Sequence, residues 1–408
     1  MPMNHSSNSV PGSAFPRETK PFLVGWCTGL ALVELYAHGY LQGANELDFR
    51  AFYAAGYLVR THPSRLYDLA QQAQIQHTFA PTGIPVPFYH PSYEALLFAP
   101  FSLLHYSAAY LAFIAFNMLL LLAVFLWAWP GFSRKGSGSL LAPGLPFLLF
   151  LPVFDTLLHG QDCILSLLLY SLCWRQLEAE KDISAGCLLA LTLYKFHYAI
   201  PIAILIALRR GTGFAKGFLI TAACLVAACI AITGISGAVT FAHLIHGAAS
   251  AIGNTAAAQK TFSVYPMASP NLAGLLFACG GRFLQSPLIF NAAWAAGSLA
   301  LFIWCIRMVR RNDLGAAFSI AVLCGLLISY HLYLPDLALL LLPLAILGRR
   351  LHRFTSICIF VLPILLLPIG VNSFFLLAIP MLIMLADIHL SAGNRPSLPR
   401  PAVGTAVA

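Results

Sequence analysis

Apolar runs near twenty residues long, broken by short polar or basic connections, recur along almost the whole chain. The first extends from Phe22 to Leu41. Others cover about 143–158, 163–177, 183–208, 217–237, 269–279, 284–306, 314–330, 334–348, 354–369 and 371–388. Ser92 to Trp129 has room for two tilted spans hinged near Leu104 to Ser107. In lipid such runs satisfy their backbone groups only as helices. The pattern therefore predicts an all-α polytopic membrane protein, a helix bundle of about ten to thirteen spans.

One polar stretch interrupts this rhythm, the outer loop at 42–91. A connection of that length usually carries function. Phe49, Phe52, Tyr53, Gly56, Tyr57 and Arg60 recur at helical spacing, which predicts a helix with one aromatic stripe. Such a stripe suits the headgroup layer of a bilayer. His62-Pro63-Ser64 ends that helix, and Asp68 with Gln71 has capping-box spacing for a second one through about Phe79. The proline-rich run that follows, ending at Pro91, reads as a stiff extended strut. The expected organisation is a polar, disordered N-terminus at 1–20, one transmembrane domain at 21–390 and a disordered tail at 391–408. The N-terminal segment shows no small-residue cleavage site before Phe22, so the first span reads as a retained helix.

Composition agrees with this picture: 59% of residues are apolar and 9% charged, against about 25% charged in soluble domains. The formal net charge of +9 sits in short loops, at Arg134/Lys135, Arg209/Arg210/Lys216, Arg307/Arg310/Arg311 and Arg349/Arg350/Arg353. That is the positive-inside pattern of a membrane protein, and no basic soluble face for nucleic acid is present. Arg17 and Lys20 place the N-terminus in the cytoplasm and the long loop outside. The 183–208 run has cations at both ends, Arg175 and Lys181 before it and Arg209 and Arg210 after it. Either it is a re-entrant hairpin with its tip near Lys195, or one flank breaks the rule. The ten cysteines are scattered singly and read as small buried residues.

Few residues could carry chemistry. Asp48 opens the aromatic helix, where it reads either as a helix cap or as a partly desolvated carboxylate able to serve as general base. Glu34, Glu46, Asp68 and Glu94 are the other acids in or beside the loop, and Glu34 reads as a snorkelling or helix-bonding group. Lys195, beside His197, lies too deep to snorkel and must face a cavity or pair with one of the acids at the run ends. His331, Gln161, Asp162 and Asn271 are polar points at outer helix ends. No glycine-rich phosphate loop, nucleophile elbow or H-E-x-x-H motif occurs, so a soluble nucleotide-sugar donor is not expected.

The order of motifs resembles glycosyltransferase family 87. They are Asp48-Phe49 with Phe52-Tyr53 and Leu58, then Leu66-Tyr67-Asp68, then Phe88-Tyr89-His90-Pro91 with Pro100. Gly160-Gln161, Lys195 with Pro201, Ser269-Pro270-Asn271 and Ser329-Tyr330-His331 follow in order, so the resemblance runs from about Phe22 to Leu385. It implies a GT-C fold with the active site at the outer face of the cytoplasmic membrane, under the first loop. It also implies transfer of a hexose, typically mannose, from a polyprenyl-phosphate sugar to a lipid- or glycan-linked hydroxyl, with inversion. The family's catalytic acid maps onto Asp48 and its late histidine, which contacts the donor phosphate, onto His331. Many relatives carry K-x-x-P where here five residues separate Lys195 from Pro201. Lys195, His331, Arg50 and Arg65 are the groups expected to neutralise the leaving phosphate, with Tyr89, Gln161 and Asn271 as further substrate contacts. No cofactor or metal is expected, since no acid pair stands at metal-binding spacing. The expected partners are the lipid-linked donor, the acceptor and membrane lipids, with no nucleic acid; oligomeric state is left open. Competing readings are a lipid or sugar transporter, which calls for inverted repeats that the chain lacks, and a non-catalytic assembly subunit.

Overall fold

A computed structural model describes residues 48–81, 85–128, 150–251, 256–262, 264–280 and 286–393. The 1–20 segment, the first span with Glu34, Glu46, and the basic pair Arg134/Lys135 lie outside the described residues, as does the tail beyond 393. Every regular element described is helical. Five stretches are long and apolar enough to cross a membrane: Tyr106–Leu126, Asp182–Arg210, Thr212–Ala251, Pro287–Arg311 and Val371–Ser391. Shorter apolar helices run Leu314–Ile328, Leu334–Leu347 and Arg353–Leu366. The last helix continues to Gly393, slightly into the expected tail.

Burial sorts these helices into layers. Every residue from Ala316 to Leu327 is buried, so the Leu314–Ile328 helix, apolar all round, forms the centre. Thr212–Ala251 and Pro287–Arg311 are only 6% and 11% buried over their most apolar windows and form the rim. Their exposed side chains, among them Leu219, Ile220, Val226, Leu288 and Leu299, are suited to lipid and not to water.

Asp182–Arg210 satisfies the length test for a span but is not one straight helix. A straight helix of 29 residues would hold its ends about 44 Å apart. Instead Arg210 Nε donates to Asp182 Oδ1 at 2.6 Å. The chain runs inward as Asp182–Ala190, tightens into a 3₁₀ segment at Leu191–Lys195, and returns as Phe196–Arg210. This is the re-entrant hairpin, with Lys195 at its tip, and it leaves both basic flanks on one side. Gly186 and Gly217 admit the next helix: a Cβ on Gly186 would stand 2.2 Å from Phe214 O, and one on Gly217 2.1 Å from Ile183 O.

The 92–129 stretch breaks where expected but is not two spans. Only seven residues, Ser92–Phe98, are helical before the 3₁₀ turn Phe101–Leu103, and the break at Leu104 and His105 precedes the true span from Tyr106.

Both loop helices form, at Phe49–Thr61 and Leu69–Phe79. Asp68 caps the second through Ala70 N and Gln71 N. The start of the aromatic stripe, however, faces protein: Phe49 and Phe52 are buried, stacked on Phe113 and Phe98, while Tyr57 and Arg60 are exposed. Closeness of the two short helices forces Gly56, where a Cβ would lie 2.4 Å from Phe98 O. Two buried glutamines hold the proline strut to the second helix. Gln72 accepts from Phe88 N and donates to Leu66 O; Gln76 accepts from Val86 N and donates to Val86 O. These bonds replace the ladder that an extended segment otherwise lacks.

The bundle thus has two unlike ends. Arg210 with Asp182, and Arg350 with Asp313 at 2.8 Å, mark the basic end, where Arg209 shares a cleft with Leu177, Val309 and Leu314. The opposite end gathers Asp48, Gln161, Asp162, Lys195, His331 and Asp336.

Candidate functional site

The polar end is built from a glycine turn outward. Leu151–His159 stops at Gly160, whose φ of 63° is the left-handed conformation that suits glycine. Gln161 N then returns to Thr156 O at 2.9 Å, and a Cβ on Gly160 would lie 2.7 Å from Phe49 Cβ. The turn aims two adjacent side chains at two different partners. Gln161 Nε2 donates to Asp48 Oδ2 at 2.7 Å, while Asp162 Oδ1 takes Lys195 Nζ at 2.9 Å.

Asp48 occupies the N-cap position of the aromatic helix, but its side chain makes no cap hydrogen bond. The backbone there is already helical, with φ −64° and ψ −25°, which turns the carboxylate away from the free amides. Asp48 is half-buried and its field reaches His159, Tyr106 and Tyr333. Burial disfavours the charged form of His159, yet Asp155, 3.2 Å away, and the Asp48 charge together raise it to about 10.

Lys195 sits between two carboxylates. Nζ lies 2.7 Å from Asp336 Oδ1, 2.9 Å from Asp162 Oδ1 and 3.1 Å from Cys163 Sγ. With 5% of its surface exposed, it is a buried double ion pair and not an open cation. Of the two sequence readings, pairing with acids at the run ends is the one realised. Asp336 Oδ2 also accepts from Tyr333 N at 3.0 Å, which ties the turn after His331 to the same cluster.

His90 and Glu94 complete the end. Tyr67 Oη donates to His90 O, so the Leu66-Tyr67-Asp68 motif anchors the strut. The imidazole stacks on Phe88 and meets the edge of Phe52, the work of the inward-turned stripe. Nδ1 lies 2.5 Å from Glu94 Oε2 and 3.6 Å from Asp162 Oδ2. Glu94 and Asp162 are 68 positions apart in the chain, so sequence spacing could not join them. The only local signal was the i,i+4 interval from His90 to Glu94 across Pro91.

The remaining candidates fall into two groups. His331 is half-buried among Tyr333, Tyr89 and His197, and burial pushes its imidazole down to about 4, so it is neutral near pH 7. Its backbone N donates to Ser329 Oγ, which in turn contacts His197 Nδ1 at 2.7 Å. Tyr89 reaches the same place, its hydroxyl donating to Phe262 O. Asn271 is fully buried and both ends of its amide serve backbone, Nδ2 on Ser329 O and Oδ1 under Gly274 N. It latches two turns together. Arg50 is buried on the aromatic helix near Tyr106, whereas Arg65 is exposed on the loop. A groove of about 490 Å³ opens between the two loop helices, lined by Tyr53, Tyr57, Gln71 and Gln74 among others. It holds no acid or lysine; its ionisable side chains are His62, His105 and three tyrosines, so none of the clustered carboxylates lines it.

The model of the family described as Glycosyltransferase family 87 matches residues 88–335. The match carries Tyr89, His90, Glu94, Gln161, Asp162, Lys195, Asn271 and His331; Asp48, Arg50 and Arg65 precede it. It is narrower than the motif resemblance from Phe22 to Leu385. No curated protein and no solved structure matches. The matched residues are more than half of the 408 and hold most of the polar end of a bundle of membrane-spanning helices, and on that ground the chain belongs to glycosyltransferase family 87 and is a glycosyltransferase.

Proposed function

We propose that the chain transfers a hexose, mannose by family resemblance, from a polyprenyl-phosphate sugar to a lipid- or glycan-linked hydroxyl, with inversion and with Asp48 as general base. The observation that carries the proposal is the half-buried Asp48 carboxylate, unused by its own helix and oriented by Gln161. A base needs a fixed position and a vacant lone pair within reach of the acceptor proton. In the step, Asp48 takes the hydroxyl proton and the acceptor oxygen bonds to the sugar C1. As that bond forms, the C1–O bond on the opposite face of C1 breaks, and the lipid phosphate leaves with the electron pair. Orientation of acceptor and donor supplies much of the rate.

The supporting groups divide by their neighbours. His331, neutral near pH 7, suits a hydrogen bond to a phosphate oxygen and not a charge contact. Lys195 is engaged by two acids, so in this reading it fixes Asp162, and through the adjacent Gln161 it fixes Asp48. The clustering of arginines at the basic end supports a cytoplasmic position for it, and with it a polar end at the outer face of the cytoplasmic membrane. A lipid-borne donor fits an enzyme whose site caps apolar helices and whose sequence has no nucleotide loop.

The test is transfer of label from polyprenyl-phosphate mannose to a membrane lipid extract by purified protein, with glucose and arabinose donors in parallel. Asp48→Asn should insert normally and lose transfer by about 10²–10⁴-fold. Undiminished transfer by that variant removes Asp48 as base, and no transfer from any of the donors removes the donor class.

A further inference from the structure

The cluster around His90 has more negative charge than its own residues balance. Glu94, Asp162 and Asp336 are three buried carboxylates facing one ammonium, Lys195, a formal excess of two negative charges when the acids are ionised and His90 is neutral. Lys195 and Tyr333 satisfy Asp336, and Lys195 satisfies Asp162 Oδ1. The atoms left over point at one another. Among the described residues, His90 Nδ1, Glu94 Oε1 and Oε2, and Asp162 Oδ2 are buried without a hydrogen-bond partner. Nδ1 and Glu94 Oε2 come to 2.5 Å without the alignment of a hydrogen bond. Glu94 is 3% exposed and Asp162 fully buried, so bulk water does not screen them.

We infer that His90, Glu94 and Asp162 form a binding site for a divalent metal ion. Ligand atoms from the three residues lie within 4.8 Å of one another. Two ligands bonded to one ion at about 2.1–2.4 Å stand at most about 4.2–4.8 Å apart. One imidazole nitrogen with two carboxylates is the donor set that first-row divalent ions such as Mn²⁺ and Zn²⁺ accept. The support behind each ligand is of the kind a metal site needs. Phe88 and Phe52 hold the imidazole plane, Lys195 fixes Asp162 through its other oxygen, and Pro91 starts the helix that carries Glu94. A divalent ion also cancels the excess of two charges. The absence of an acid pair in the local sequence, on which the expectation of no metal rested, does not bear on this site, because the fold supplies the second acid from another helix.

The experiment uses the full chain in detergent or nanodiscs, stripped with a chelator. Mn²⁺ is titrated and followed by the loss of the free-ion electron paramagnetic resonance signal, with Zn²⁺ titrated in parallel by calorimetry. One ion per chain is expected, with affinity lowered at least tenfold in Glu94→Gln and in His90→Gln. The wild-type protein alone gives an independent readout: pulsed resonance on the Mn²⁺ form should show coupling to an imidazole ¹⁴N. No stoichiometric binding of either ion, bound Mn²⁺ with no ¹⁴N coupling, or affinity unchanged in folded Glu94→Gln overturns the inference. Each readout is independent of sugar transfer, so the glycosyltransfer proposal stands or falls separately.

Discussion

Replacing Lys195 by Met keeps the aliphatic stem and removes only the ammonium. The contacts at 2.7 and 2.9 Å each correspond to about 6 kcal/mol of attraction at an effective dielectric near 20. Against this stands the loss of hydration of three ions whose side chains are 6%, 0% and 7% exposed, several kcal/mol for each. The intact triad is therefore close to balance, and its presence says little about net stability. The variant is different, because Asp162 and Asp336 keep their desolvation and lose the cation that offsets it. Breaking a buried pair from one side costs about 3–5 kcal/mol, and that is the destabilisation expected for Lys195→Met. Equilibrium unfolding in mixed micelles, with helicity followed by circular dichroism, measures it. The same logic predicts recovery when the stranded charges go too: Lys195→Met with Asp162→Asn and Asp336→Asn should regain most of the loss. A single variant within about 1 kcal/mol of wild type would refute the reasoning. So would a triple variant no more stable than the single one.

Four further outcomes follow from the same geometry. Asp48→Asn should change stability by no more than about 1 kcal/mol in the same unfolding assay, because the carboxylate caps no backbone amide. Gly160→Ala should cost at least about 1–2 kcal/mol from the left-handed backbone alone. Its Cβ also meets Phe49, so the melting temperature should fall and sugar transfer with it. Gln76→Leu strands the amide and carbonyl of Val86 and should cost about 1–3 kcal/mol for each group left unpaired. Faster hydrogen exchange at the Val86 amide would report it directly. His159, raised to about 10 through Asp155 and Asp48 against the effect of its burial, contributes stability that is fully present below about pH 6.5. That contribution declines as pH rises and is gone above about pH 10, so the melting-temperature gap between wild type and His159→Asn should shrink over this window.

Much of the fold is legible because membrane helices announce themselves locally. The loop helices at 49–61 and 69–79 and the break at Leu104 and His105 follow from hydropathy or capping, while flanking charge offered the hairpin with Lys195 at its tip as one of two readings. The face on which Phe49 and Phe52 lie does not follow, since an aromatic stripe is equally content against lipid or against Phe98 and Phe113.

The candidate site divides in the same way. Asp48, Lys195 and His331 stand out in the sequence because charge and imidazole are rare in an apolar chain, and rarity is a local property. What each of them does depends on partners 113, 141 or more positions away, as with Gln161 on Asp48 and Asp336 on Lys195. By itself, then, the sequence determined a helical membrane protein, the two loop helices and the rare groups Asp48, Lys195 and His331 as candidates for chemistry. Only the tertiary structure decided that Lys195 is neutralised from two sides, that Asp48 is spared by its own helix, and that His90, Glu94 and Asp162 share one point. The reason is physical: hydropathy and capping act over one or two turns of chain. Charge balance in a buried cluster, by contrast, is set by whichever helices the packing brings together.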